Sequence, residues 1–257
     1  MINAKDSKGT FYLLNKKRNI PIVFVHGVGL NHKIWDPQIN YFNNTTVAYD
    51  ILGHGKTFLN KKKISFNDFS EQLLNLIDEL KFEKVHLVGF SIGSLIARNF
   101  APKHNNRLSS LTLLCSTFKR SEEQKQIVND RFELSKKSRT LSKQALKRWF
   151  TDEYLDKNPD TYKKICTILD QNNMENFLKV YELFVKHEDD ENFKKITTKT
   201  LIMTGENDIG STPEMSKNLS KEITNSKVKI ISTGKHLCSI ECVDDVNMEI
   251  KNFIDNV

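Results

Sequence analysis

A serine between two glycines, Gly89-Phe90-Ser91-Ile92-Gly93, can act as a nucleophile where the chain bends sharply. The pattern G-x-S-x-G recurs by chance, so its setting decides. Here it follows an apolar, β-branched run, Val85 to Val88, and opens a segment from Ile92 with apolar residues at helical spacing. In such a strand–turn–helix elbow the serine is strained with its Oγ exposed. Side chains two positions away on either side would strike neighbouring backbone, and Gly89 and Gly93 have none.

A hydroxyl is a weak nucleophile at neutral pH and needs a base within hydrogen-bonding reach, itself held by a third group. Of seven histidines, His236 stands in the loop Thr233-Gly234-Lys235-His236, just past the run Val228 to Ile231. Strand ends of this kind build sites in open α/β sheets. His86 falls inside a strand and is expected to be packed there, while His104 and His187 are expected on helices, facing solvent. His32 falls near the mouth of the site without a matching acid. For the third group, the run Thr200 to Met203 leads into Thr204-Gly205-Glu206-Asn207-Asp208, which offers two carboxylates; Glu206 reads as a surface or turn residue. Negative charge developing on a carbonyl oxygen needs two N–H groups. One is the amide of Ile92. The other is expected from Val28 in His26-Gly27-Val28-Gly29, whose glycines let backbone approach closely.

These residues need a scaffold that brings strand ends together. Six apolar runs read as buried strands: Ile20 to Val25, Thr46 to Tyr49, Val85 to Val88, Leu108 to Leu114, Thr200 to Met203 and Val228 to Ile231. Amphipathic segments such as Phe69 to Leu80 and Ile92 to Phe100 lie between them. The alternation predicts an α/β fold, a mostly parallel twisted sheet with helices on both faces, and Thr10 to Leu14 adds an antiparallel strand at its edge. The alternation stops after Ser116 and resumes near Lys199. Leu141 to Phe150, Thr161 to Leu169 and Met174 to Lys186 read as helices, so residues 118–193 are expected to form a helical cap inserted between two parts of one core, 1–117 and 194–257.

At 257 residues, with 38% hydrophobic and 28% charged residues, the chain can bury such a core and is not of disordered type. No apolar run approaches the roughly 20 residues that span a membrane. The charged start, with Lys5, Asp6 and Lys8, is unlike a secretory signal, so a cytoplasmic location is the expectation. The net charge of +7 comes from scattered lysines, with short clusters only at 15–18 and 61–63. No nucleic-acid partner is expected. Cys115, Cys166, Cys238 and Cys242 are too dispersed for a disulfide framework; Cys238 and Cys242, one helical turn apart, read as a packing pair.

Taken together, the motifs resemble the α/β-hydrolase family over nearly the whole chain. His26 to Gly29 with Trp35 downstream, Asp50-Ile51-Leu52-Gly53-His54-Gly55-Lys56-Thr57, the elbow, Gly205 to Asp208 and Gly234 to His236 occur in family order. The resemblance favours Asp208 over Glu206 as the acid, and it implies a triad of Ser91, Asp208 and His236. The stretch 50–57 matches a structural turn of the family, and Ser94 stands where many relatives carry a second glycine. Serine at 91 argues against a haloalkane dehalogenase, which uses aspartate there. Trp35 to Gln38, Arg148-Trp149-Phe150-Thr151 and His236 to Glu241 look most like 3-oxoadipate enol-lactonases. The same strings recur in carboxylesterases, in pimeloyl-[acyl-carrier protein] methyl ester esterases and in carbon–carbon bond hydrolases. The implied activity is hydrolysis of a small carboxylic ester or lactone through an acyl-enzyme, with no metal or organic cofactor. A slow-turnover ligand receptor or an acyltransferase on the same fold are the alternatives. An enol-lactone substrate would bear a carboxylate, and burying it needs a cation. Arg131, Lys147 and Arg148 are candidates, with Arg148 beside Trp149 the foremost.

Overall fold

The computed structural model describes residues 1–137 and 141–257; positions 138–140, inside the expected cap, lie outside the described residues. Eight strands form one sheet: β1 (Ile2–Lys5), β2 (Phe11–Asn15), β3 (Arg18–Val25), β4 (Asn44–Tyr49), β5 (Val85–Phe90), β6 (Leu108–Leu114), β7 (Thr200–Gly205) and β8 (Ser226–Ile231). Their order is β1-β2-β4-β3-β5-β6-β7-β8. β1 and β2 run antiparallel, and all pairings from β4 to β8 are parallel. Central strands covered on both faces cannot alternate, which is why β5 and β7 are buried at every position.

The expected edge strand is thus the second strand, and β1 takes the edge. Its sequence, Ile-Asn-Ala-Lys, is short and mostly exposed, so it carries no periodic signal. Polar residues and a lysine also suit an edge that must not recruit another chain.

On one face pack α2 (Phe66–Glu79) and α3 (Ile92–His104), burying Phe69, Leu73, Ile96 and Phe100. On the other pack α1 (Asp36–Tyr41) and, from the chain's end, α11 (Val243–Ile254), burying Ile39, Val246 and Ile250. α2 starts three residues before the periodic apolar run because Asp68 accepts the backbone N–H of Ser65 at 2.7 Å and caps the first turn. Between β6 and β7 the described helices are α4 (Glu122–Lys137), α5 (Leu141–Trp149), α6 (Asp152–Lys157), α7 (Pro159–Asp170) and α8 (Met174–Val185). The sheet resumes with β7, followed by α9 (Pro213–Glu222), β8 and the short α10 (Cys238–Glu241). No described helix is long and apolar enough to cross a membrane.

Candidate active site

Ser91 lies between β5 and α3 at φ +54°, a left-handed conformation costly for a residue with a Cβ. Close packing enforces it. A Cβ on Gly89 would collide with the Gly93 carbonyl oxygen, and one on Gly93 with that of Val25. The Ser94 hydroxyl, where the family often has glycine, donates to the Ser91 carbonyl at 2.5 Å and braces the turn.

The ends of β7 and β8 deliver the other two groups. His236 Nε2 stands 3.3 Å from Ser91 Oγ, and its Nδ1 stands 2.7 Å from Asp208 Oδ2. With Nδ1–H donating to the carboxylate, Nε2 is left to accept the serine proton. Asp208 is buried, and its Oδ1 accepts the amides of Gly210 at 2.8 Å and Ser211 at 3.0 Å. Burial works to raise its carboxyl. The charge and hydrogen bond of His236 and the two amides outweigh this and hold it below the usual carboxylate range. Glu206 is exposed and accepts the Thr233 amide at 3.1 Å, on the outside of the turn.

Beside Ser91, the amides of Ile92 and Val28 donate to no acceptor among the described residues. Ile92 opens α3, where N–H groups lack intrahelical partners, and Val28 lines the same cavity as Ser91. The loop carrying Val28 is held from beneath by neutral imidazoles. His54 Nε2 accepts the Gly29 amide at 2.8 Å and His26 Nε2 accepts that of Ile51 at 3.1 Å. Burial depresses the two rings to about 3 and about 4 respectively, so both stay uncharged and able to accept.

Several sequence expectations are corrected by this environment. His32 does have an acid: its Nδ1 and backbone N–H lie 2.7 and 2.8 Å from Asp50 Oδ1. This brace forms because two loops 18 positions apart meet at neighbouring strand ends. His187 is not solvated on a helix. It follows α8 with a side chain only 4% exposed, near Asp189 and Glu191. His104 is half-buried, its ring 4.6 Å from that of Phe100. Cys238 and Cys242 do lie together, the Cys242 amide donating to the Cys238 carbonyl at 2.8 Å, and Cys238 Sγ also lies 3.8 Å from Cys115 Sγ at the end of β6.

A cavity of about 150 Å³ opens over Ser91 and His236, a volume class that holds a ring the size of benzene. Arg148 and Trp149 from α5 both line it, as do Arg120 and Arg131; Lys147 does not. The Trp149 ring sits 6.3 Å from that of His236, and its carbonyl accepts the Leu237 amide at 3.0 Å. Glu241 completes this tie, accepting the Lys235 amide at 2.9 Å and the Thr151 hydroxyl at 2.6 Å. Sequence reasoning missed Arg120 and this role of Glu241. Only the recurrence of Glu241 in the string from His236 hinted at it. Ligand atoms of Cys115, Asp208 and His236 come within 4.8 Å of one another. Asp208 is saturated by N–H donors, and burial pushes the Cys115 thiol well up, so this donor set suits proton transfer better than a metal.

A serine at a strained elbow after β5, a histidine after β8 and a buried carboxylate after β7 meet at the strand ends of a parallel sheet. The sequence model of the alpha/beta hydrolase fold matches residues 20–241, and the chain belongs to that family. It is similar to the (E)-2-((N-methylformamido)methylene)succinate hydrolase of Acinetobacter baylyi, 25% identical over 91% of this chain and 90% of that protein. It is also similar to 3-oxoadipate enol-lactonase 1 of the same organism, 24% identical over 100% of this chain and 97% of that one. The crystal structure of the enol-lactonase from Burkholderia xenovorans LB400 superposes with a TM-score of 0.89 at 21% identity, covering 99% of this chain and 100% of that one. The family and these relatives support a hydrolase.

Proposed function

We propose that the protein hydrolyses a small carboxylic ester or lactone through an acyl-enzyme on Ser91. The carrying observation is the continuous line of contacts from Ser91 Oγ through both nitrogens of His236 to Asp208, 3.3 and 2.7 Å. In this reading Ser91 Oγ attacks the substrate carbonyl as His236 Nε2 takes its proton. The amides of Val28 and Ile92 hold the oxyanion, and Asp208 steadies the imidazolium. His236 then protonates the departing alkoxide. A water deprotonated by the same nitrogen releases the acid and restores Ser91. The relatives' names point to acids with a further carboxylate: a lactone of 3-oxoadipate keeps one carboxyl free. Arg148, at the cavity wall beside Trp149, is positioned to receive it.

Steady-state turnover of a graded panel of esters and lactones tests this. Ser91→Ala is expected to lower the rate by roughly 10⁶ with the fold unchanged, and Asp208→Asn by about 10⁴, the loss known for another triad. Glu206→Gln changes little. A Ser91→Ala variant retaining a tenth of the activity removes the serine from this role. Single-turnover behaviour in excess ester would mark a receptor instead, and ester products formed with an added alcohol would mark an acyltransferase.

A further inference from the structure

Three guanidiniums, those of Arg120, Arg131 and Arg148, line the cavity that holds Ser91. Among the described residues none of them forms an ion pair, while Arg98 and Arg107 do. Arg120 is 8% exposed. Its Nη1 rests on the carbonyls of Phe184 and Val185 at 3.1 and 3.3 Å, its Nη2 reaches the Thr117 hydroxyl at 3.4 Å, and its Nε has no acceptor. Arg148 Nη1 donates, among the described residues, only to the Gln144 carbonyl of its own helix, at 2.9 Å. Among the described residues, the acceptors of Arg120 and Arg148 are all neutral.

Like charges gathered in a poorly solvated hollow repel one another and are expensive to bury. Both effects are visible. Burial, and after it the charge of Arg131, pulls the Arg148 guanidinium below its usual value. Burial likewise pulls Arg120 down to about 10. Asp170 also lines the cavity and forms no ion pair among the described residues, and the other nearby carboxylates are committed elsewhere. Asp208 holds His236, and Asp189, whose charge reaches Arg120, is bound by Arg98 and the Lys119 amide. The cations come from separate elements: Arg131 on α4 acts on Arg148 on α5, Arg120 is anchored at the end of α8, and the Tyr181 phenol is within electrostatic reach of all three.

From these unpaired arginines we infer that the substrate brings two free carboxylates in addition to the ester or lactone group, one for Arg120 and one for Arg131 and Arg148 together. This rests on the reading of the cavity as the substrate site. Two positions on separate elements fit two carboxylates on one carbon skeleton better than a single compact anion. Each carboxylate supplies acceptors that the guanidinium forks lack and cancels part of the repulsion. Neutral esters leave all three charges uncompensated, so the same arrangement selects against them.

The test holds the skeleton constant and changes only charge. The trimethyl, dimethyl and monomethyl esters of propane-1,2,3-tricarboxylic acid carry zero, one and two carboxylates. Binding to Ser91→Ala protein is measured by calorimetry, and methanol release by the unaltered protein is measured in parallel. The expected result is that the monomethyl ester binds at least about 10-fold tighter than the dimethyl ester, the size of a close charge pairing. In Arg131→Gln and in Arg120→Lys that ratio is expected to fall at least threefold; the lysine keeps a charge at the buried position so that the variant folds, as its melting temperature verifies. A ratio below 10, a ratio unmoved in both variants, or inorganic phosphate binding as tightly as the monomethyl ester overturns the inference. Because binding is read on a protein that cannot form the acyl-enzyme, charge selection without methanol release would overturn the hydrolase reading and leave this one standing.

Discussion

Two buried arginines meet at Thr117 and are treated in opposite ways. Arg98, from α3, donates Nη1 to the Thr117 carbonyl at 2.6 Å, and its Nη2 bridges Asp189 and Glu191 at 2.5 and 2.8 Å. Arg120, on the cavity side, touches the Thr117 hydroxyl and two carbonyls and meets no carboxylate. Behind the cavity, the fold supplies the counter-charges and the arginine becomes part of the frame, fastening the segment after α8 to the core. At the cavity no carboxylate among the described residues is paired with the arginines, although Asp170 also lines it. The difference separates cations that serve stability from cations kept for a ligand, and it appears only when partners are counted, since all are equally arginine.

The largest effect that could break this comparison is on stability. Arg98→Ala leaves Asp189 and Glu191 without their guanidinium, with only His187 and the Lys119 amide beside them, and the expected loss is about 3–5 kcal/mol in denaturant unfolding. A loss below about 1 kcal/mol would place Arg98 with the cavity arginines. Next in size, Arg148→Gln is expected to lower kcat/KM for a carboxylate-bearing lactone by about 10-fold or more, as for a lost charge contact to substrate. Its melting temperature should hold or rise, since a repulsion is removed. A fall in melting temperature would show Arg148 to be framework after all.

The smallest effect sharpens the comparison through pH. His187 faces Asp189, Glu191 and Arg98, with the Phe66 ring against it. Burial works to lower its pKa and Arg98 opposes its charge, but the carboxylates of Asp189 and Glu191, 3.4 and 3.3 Å from Nε2, prevail and hold it above the usual histidine value. A base raised in the folded state adds stability that is fully present below the unfolded value of about 6.5 and is lost as pH rises through the folded one. The stability gap between the unaltered protein and His187→Gln should therefore be wider at pH 6 than at pH 8.5. Taking this difference cancels the opposite trend from His26, His54 and His86, whose depressed values weaken the fold as pH falls below 6.5. A gap independent of pH would mean that His187 does not share its proton with the cluster.

How much of this was legible depended on how local the constraint is. The elbow could be read because Gly89 and Gly93 are demanded by atoms within a few residues or on the adjoining strand. The order of strands and helices could be read because two-sided burial leaves unbroken apolar runs. Among cavity residues, Arg148 was marked by its neighbour Trp149. Arg120 stands in an aperiodic stretch between β6 and α4, and its place is set by carbonyls 64 and 65 positions onward. No spacing rule reaches that far. His32 with Asp50, and His187 with its two acids, escaped for the same reason: charge partners are chosen by tertiary folding. β1 escaped because four mostly exposed residues have no pattern to show.

The 145 positions between Ser91 and His236 also have a temporal meaning. At about 5–20 residues per second, a ribosome takes on the order of ten seconds to extend the chain from one to the other. During that time β3, β5 and β6 can already pair with one another, while β6 awaits β7 on its other edge. The histidine follows β8, a strand bonded only to β7 at the far edge of the sheet. On the proposed reading, the serine is therefore made before its base, and reactivity is expected only once the last strand docks. Onset of reaction with a serine-directed probe during synthesis would thus time the closure of the sheet.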